Sequence, residues 1–244
     1  MAMKNRSFGP KGRESLPDVL QSLGNHIVYA EGEKTEPLYV ESVKIAIAEN
    51  YGLESRKISI ETVPESGGRN TSGLFEYAKK DYRKRIRGKQ HFDGVWIFFD
   101  KDDFPKDRFD NTIQAVWSMN CKRSFDQDKG GNTDKYGARW WPCWSNESFE
   151  IWPIYHFENL SSALSRERYI EKINESLRNH GVNEEYCKNH TRIHQLLKKG
   201  KGRLDVAIKN SKKHAPEALN NTAENPSTGI FYFAEFFKRY IEKK

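Results

Sequence analysis

Two short stretches place carboxylates where a folded chain can gather them. Glu31-Gly32-Glu33-Lys34-Thr35-Glu36 follows the apolar run Ile27-Val28-Tyr29-Ala30, and Asp100-Lys101-Asp102-Asp103 follows Val95-Trp96-Ile97-Phe98-Phe99. An acid ending an apolar strand, with Gly32 beside it to let the backbone turn, is delivered to a sheet edge. Asp100 and Asp102 are two residues apart, so an extended exit from the strand sends both side chains the same way. Carboxylate oxygens, with water and a substrate phosphate completing the shell, suit Mg2+. Holding such acids together without a cation is costly, because like charges oppose one another's ionisation. Alone, Asp100-Lys101-Asp102 reads first as an acidic turn; joined to Glu31, it reads as half of one metal site.

The elements that must position these acids follow from hydrophobic periodicity. Strands are expected at residues 25–30, 57–63 and 94–99, the last apolar throughout, as in a strand covered on both faces. Between the first two runs a helix, with Thr35 as its cap, Pro37 in its first turn, and Tyr39, Val43 and Ile47 as its buried stripe. After a loop over residues 64–70, a second helix starts near Thr71 or Ser72. It buries Leu74, Ala78, Tyr82 and Ile86 and carries Lys79, Lys80, Arg83, Lys84 and Arg87 on its other face. A third helix over residues 107–120 buries Phe109, Ile113 and Trp117. A tryptophan-rich strand follows at residues 137–144, and a further helix is expected to begin within residues 145–152.

Beyond Glu158 the chain reads as helical. Its stripes are Tyr169, Ile173 and Leu177, closed by Gly181, then Leu204 with Ile208, then Ile230, Phe233, Phe237 and Ile241. Alternating strands and helices with right-handed crossovers predict an α/β fold, a parallel sheet with helices on both faces. In such sheets functional groups gather at the carboxyl ends of the strands, so Glu31 and Asp100 are expected to share one edge.

Composition bounds the rest. The chain has 244 residues, enough for one large domain with an extension; 36% are hydrophobic and 13% aromatic. Its net charge of +7 favours a polyanionic partner, and the acids at two strand ends stand out against that basic background. Cys121, Cys143 and Cys187 form no Cys-x-x-Cys pair, which points to a reducing compartment. The longest strongly apolar run, Val95 to Phe99, cannot span a bilayer, and the first fifteen residues hold no apolar signal core. The expected location is the cytoplasm, with no membrane association.

Three blocks in order resemble the RloB-like family: Glu31-Gly32-Glu33-Lys34-Thr35-Glu36-Pro37, then Phe99-Asp100-Lys101-Asp102-Asp103-Phe104, then Ser145-Asn146-Glu147-Ser148-Phe149-Glu150-Ile151-Trp152 with His156-Phe157. A late Asn225-Pro226-Ser227-Thr228 before the final helix matches as well. The resemblance implies a Toprim-type catalytic domain, from bacterial defence and abortive-infection loci, working beside an AAA/ABC-type ATPase. The Toprim pattern maps onto Glu31 and onto Asp100 with Asp102. By that resemblance Asp100 and Asp102 hold Mg2+ (or Mn2+), and Glu31 is a ligand or a general acid/base in phosphodiester chemistry. Glu150 is a further acid of the family's Phe-Glu-x-Trp block. The chain departs from the pattern at Glu147, where proline is usual, and at Pro153, which is expected to kink or shorten its helix. The division implied is a basic flexible arm over residues 1–24, a Toprim-like catalytic domain over 25–157, and a helical extension packed on it over 158–244.

The leading expectation is therefore a metal-dependent nuclease acting on DNA or RNA in anti-phage defence, with an ATPase partner and scope for homo-oligomers. Lys34 and the helix face of Lys79, Lys80, Arg83, Lys84 and Arg87 are the candidate nucleic-acid contacts, although a solvated helix face is the commoner meaning of such a pattern. The alternative is a non-catalytic Toprim-like docking or sensing subunit of an ATPase-containing complex. A phosphatase with Asp100 as nucleophile ranks last, because Phe104 occupies the place where a threonine is needed. Cys187, His190 and His194 have ligand-like spacing but no fourth zinc ligand. His156 and the tryptophans at 140, 141 and 144 read as core.

Overall fold

The computed structural model describes residues 18–101, 105–120, 133–215 and 224–242. Its five strands are β1 (His26–Ala30), β2 (Ile60–Thr62), β3 (Gly94–Asp100), β4 (Arg139–Asn146) and β5 (Ser227–Thr228), in the spatial order β2-β1-β3-β4-β5. The first four run parallel, and β5 lies antiparallel against Ser145 and Asn146 at the edge. The helices are α1 (Asp18–Gln21), α2 (Thr35–Tyr51), α3 (Thr71–Arg87), α4 (Lys106–Ser118), α5 (Ile151–Tyr155), α6 (Arg166–Asn179), α7 (Ile193–Lys199), α8 (Leu204–His214) and α9 (Ile230–Ile241). This is the expected α/β architecture with C-terminal helices, and it is consistent with a Toprim-like fold.

Alternation along β3 explains why both sheet faces are covered. Trp96 and Phe98 point to one face and join a core with Tyr39, Val43 and Ile47 of α2, Trp152 of α5, Tyr169 and Ile173 of α6, and Phe233 and Phe237 of α9. Val95, Ile97 and Phe99 point to the other, with Leu74, Ala78 and Tyr82 of α3 and Phe109 and Ile113 of α4. Within the stretch read as a basic arm, Leu20 and Leu23 are also buried in the first of these cores. Among the described residues no helix is long and apolar enough to cross a membrane.

Several local expectations change. The second strand is shorter than its alternating pattern implied, because residues Ser55–Lys57 form a turn of 3-10 helix before it. Thr35 is the first residue of α2 rather than its cap; Lys34 takes the cap position without a side-chain bond. α3 is capped by Asn70, whose side chain accepts the Gly73 N–H at 2.9 Å. β4 runs on through Asn146, so the helix expected to start within residues 145–152 is confined to Ile151–Tyr155. Trp140 and Trp144 are fully buried, and Trp141 stacks on Trp96 with ring centroids 5.4 Å apart.

Candidate active site

β1 passes through α2 to β2 on one side, whereas β3 and β4 lie on its other side. α2 covers one sheet face and α3 and α4 the other. The topological switch point therefore falls between the carboxyl ends of β1 and β3, the place where open α/β sheets bind ligands. Glu31 and Asp100 stand at those two ends. Glu31 continues the ladder by donating its N–H to Phe98 O at 2.9 Å, and its own carbonyl accepts the Gly68 N–H at 2.9 Å. Thr71, the first residue of α3, donates its hydroxyl to Glu31 Oε2 at 3.1 Å and lies 3.4 Å from the Asp100 carbonyl. One hydroxyl thus ties both strand ends together.

Gly32 leaves room for a side chain rather than supplying a left-handed turn. Its φ lies outside the left-handed region, but a Cβ there would stand 2.0 Å from Glu36 Oε2. The Glu36 carboxylate folds back over Gly32 and is 5% exposed. The left-handed residue is Gly68, with φ +73°, on the facing loop, where Glu33 packs across it.

The start of α5, just beyond β4, supplies Glu150. Asp100 Oδ2 accepts the Phe149 N–H at 3.2 Å, which brings the start of α5 against the end of β3. Glu150 is 2% exposed. Its Oε1 accepts the Tyr186 hydroxyl at 3.2 Å and lies 3.9 Å from Lys188 Nζ. Glu31, Glu36, Asp100 and Glu150 line one cavity of about 500 Å3, together with Lys34, Arg69, Arg166 and Lys188. Burial, then the Glu150 charge and hydrogen bond, then the charges of Glu36 and Asp100, hold the Tyr186 hydroxyl well above its ordinary pKa. Three acids from separate segments therefore act on one tyrosine.

Of the residues singled out from the sequence, Glu31, Lys34, Asp100 and Glu150 share this cavity. Asp102 lies outside the described residues. The five α3 residues read as nucleic-acid contacts, Lys79, Lys80, Arg83, Lys84 and Arg87, do not line this cavity. The helix begins at the cavity with Thr71 and runs away from it, so Arg87 lies about 24 Å down an axis rising 1.5 Å per residue. Lys79 bonds Glu76 at 2.5 Å, whereas Lys80, Arg83, Lys84 and Arg87 are exposed. The basic residues at the cavity come instead from four other segments. Arg69 is already engaged with the carbonyls of Glu65 and Gly67 and stacks on Tyr77, and Arg166 faces Glu147 at 3.7 Å.

Sequence reasoning missed Thr71, Tyr186, Lys188 and the inward-facing Glu36. Only Glu36 carried a signal, its place in the acidic motif. His156 is a core residue: burial lowers its pKa to about 3, and its Nδ1 bonds Trp152 O at 3.0 Å. His190 bonds Glu184 at 3.0 Å, and burial lowers the pKa of His194 to about 4.

The donor chemistry fits a hard dication. The candidate ligands are carboxylates, and the contacts that Glu150 makes to Tyr186 and Lys188 both fall on its Oε1. Among those residues no three His, Cys, Asp or Glu side chains stand close enough to form a closed ligand set. A family model described as RloB-like protein matches residues 26–236, most of the chain. Comparison with curated proteins and with solved structures found no match.

Proposed function

From the premise that this chain belongs to the RloB-like family, we propose that it is a metal-dependent nuclease that hydrolyses phosphodiester bonds of DNA or RNA. The observation that carries this reading is the convergence of Glu31, Asp100 and Glu150, from the ends of β1 and β3 and the start of α5, on one cavity with lysines at its wall. Glu31, Asp100 and Glu150, with Asp102, would hold Mg2+ or Mn2+. Bound there, the ion supplies an activated water and charge stabilisation at the phosphoryl oxygens. The chain's own groups do the remaining work. Thr71 orients Glu31 by its hydrogen bond, Phe149 N–H orients Asp100, and Lys34 draws a phosphate toward the acids. Glu31 is the group to accept a proton from the attacking water. A role in anti-phage defence and an AAA/ABC-type ATPase partner belong to the same reading and rest on the family resemblance.

The test is cleavage by the purified chain of plasmid, single-stranded DNA and RNA in parallel, with Mg2+, Mn2+ or EDTA. Cleavage that needs the metal and is lost in an Asp100→Ala/Asp102→Ala variant supports the reading. No metal-dependent cleavage, with the ATPase partner present as well as absent, refutes it and leaves a docking or sensing subunit.

A further inference from the structure

Tyr186 and Lys188 lie in the irregular stretch between α6 and α7, far in sequence from both acidic motifs. The stretch is nonetheless pinned. Tyr186 N–H donates to Asn174 Oδ1 at 2.7 Å, and Asn174 Nδ2 donates back to the Tyr186 carbonyl at 3.3 Å, so α6 grips one residue by both backbone groups. Two residues on, the Lys188 carbonyl accepts the Thr35 hydroxyl at 3.0 Å, which ties the stretch to the start of α2. Between these anchors the Tyr186 side chain, 1% exposed, reaches Glu150. A buried hydroxyl needs a partner, and this one has been given Oε1 of a buried carboxylate. Lys188 is different. Its side chain is 54% exposed and only 3.9 Å from Glu150, an ion pair weak enough to yield to a competing anion.

We propose that this stretch is a working wall of the site: Tyr186 is a positioning residue that fixes the Glu150 carboxylate toward the divalent cation, and Lys188 engages an anionic oxygen of the substrate. The inference rests on the metal-site reading above and adds two residues that neither acidic motif contains. The two side chains should move metal and substrate affinity in opposite ways. Tyr186→Phe keeps the ring and its packing but frees the Glu150 carboxylate to turn. Lys188→Gln removes a cation that competes with the metal for that carboxylate and also removes a contact for the substrate.

The experiment measures Mn2+ affinity by electron paramagnetic resonance and, separately, anisotropy of a fluorescein-labelled single-stranded oligonucleotide, in DNA and RNA forms, in EDTA. Tyr186→Phe should weaken Mn2+ binding by about tenfold, the scale on which outer-shell partners act. Added to Glu150→Gln, it should cost nothing more, because Tyr186 acts through Glu150; a merely structural role would show the same loss in both backgrounds. Lys188→Gln should weaken oligonucleotide binding about threefold or more while leaving Mn2+ binding equal or tighter. Tyr186→Phe and Lys188→Gln both leaving these affinities within twofold would overturn the inference even if the chain cuts nucleic acid. The expected pattern in a chain that never cuts would sustain it and refute the nuclease reading. A chain that binds no Mn2+ overturns both.

Discussion

Replacing Glu150 with glutamine should stabilise the metal-free protein and shrink its response to metal. The carboxylate is 2% exposed, and the effective penalty for burying such an ion is several kcal/mol. Against this stand two favourable contacts. Lys188 is 54% exposed, so its attraction is worth at most about 1 kcal/mol. The Tyr186 hydrogen bond would change from charge-assisted to neutral, a loss of about 1 kcal/mol, since glutamine keeps an acceptor in the same place. Glutamine also removes one negative charge from a cavity shared with Glu36 and Asp100. The balance favours the variant by about 1–3 kcal/mol without metal. For a chain of this size that corresponds to a rise in melting temperature of roughly 2–12 °C. Saturating Mg2+ should close or reverse this gap, because a ligand at about 100 times its dissociation constant stabilises the wild type by about 2.7 kcal/mol. Scanning calorimetry in EDTA and in MgCl2 reads both effects. A variant that melts below wild type in EDTA, or keeps the full Mg2+ shift, would show that Glu150 is a structural acid and refute the reasoning.

Other expectations concern the fold and the surface. Burial is the largest cause of the lowered pKa of three histidines, to about 4 at His26, about 3 at His156 and about 4 at His194. Imidazoles of the unfolded chain titrate near about 6.5, so this stability is fully present above that pH and is lost as pH falls toward 4. Each group contributes up to about 1.4 kcal/mol per pH unit, and a urea midpoint that stays flat from pH 6 to 4 would contradict this. Phe233 meets Tyr39, Trp96, Phe98 and Phe237, so Phe233→Ala should cost about 3–5 kcal/mol in urea denaturation; a loss below about 1 kcal/mol contradicts the packing. Asn70→Ala removes the cap of α3 and should cost about 1 kcal/mol, read in the same way. If the far end of α3 tracks a nucleic-acid backbone, Lys84→Glu with Arg87→Glu should lower oligonucleotide affinity and reduce its salt slope by about one per lost phosphate contact; equal slopes would assign this face to solvent alone.

Much of the scaffold was legible because its signals are periodic. Tyr39, Val43 and Ile47 recur at helical spacing and are fully buried, and the unbroken apolar run of β3 marked a strand covered on both faces. The meeting of Glu31 and Asp100 could be anticipated because parallel strands deliver their ends to one edge. Thr71 reads from the sequence only as a helix start, although its hydroxyl meets the Glu31 carboxylate and the Asp100 carbonyl. Glu36 was hidden by a second meaning, since an acid in the first turn of a helix is expected from the helix dipole alone. Tyr186 reaches Glu150 across 36 residues of sequence from an aperiodic stretch, where neither spacing nor composition points to a partner. The basic face of α3 was legible as a pattern, but distance from the cavity is set by helix direction, which no residue type announces.

The central question is whether Glu31 and Asp100, 69 residues apart in sequence, serve one metal ion. The most direct measurement is metal-dependent cleavage by Glu31→Gln and Asp100→Asn, each assayed beside the wild type on the substrate it cuts, with Mn2+ affinity measured on the same preparations. The account predicts that each substitution weakens Mn2+ binding and removes cleavage, and that combining them does no more than either alone. Undiminished cleavage with either substitution, or Mn2+ binding that ignores one of them, would contradict a single shared site.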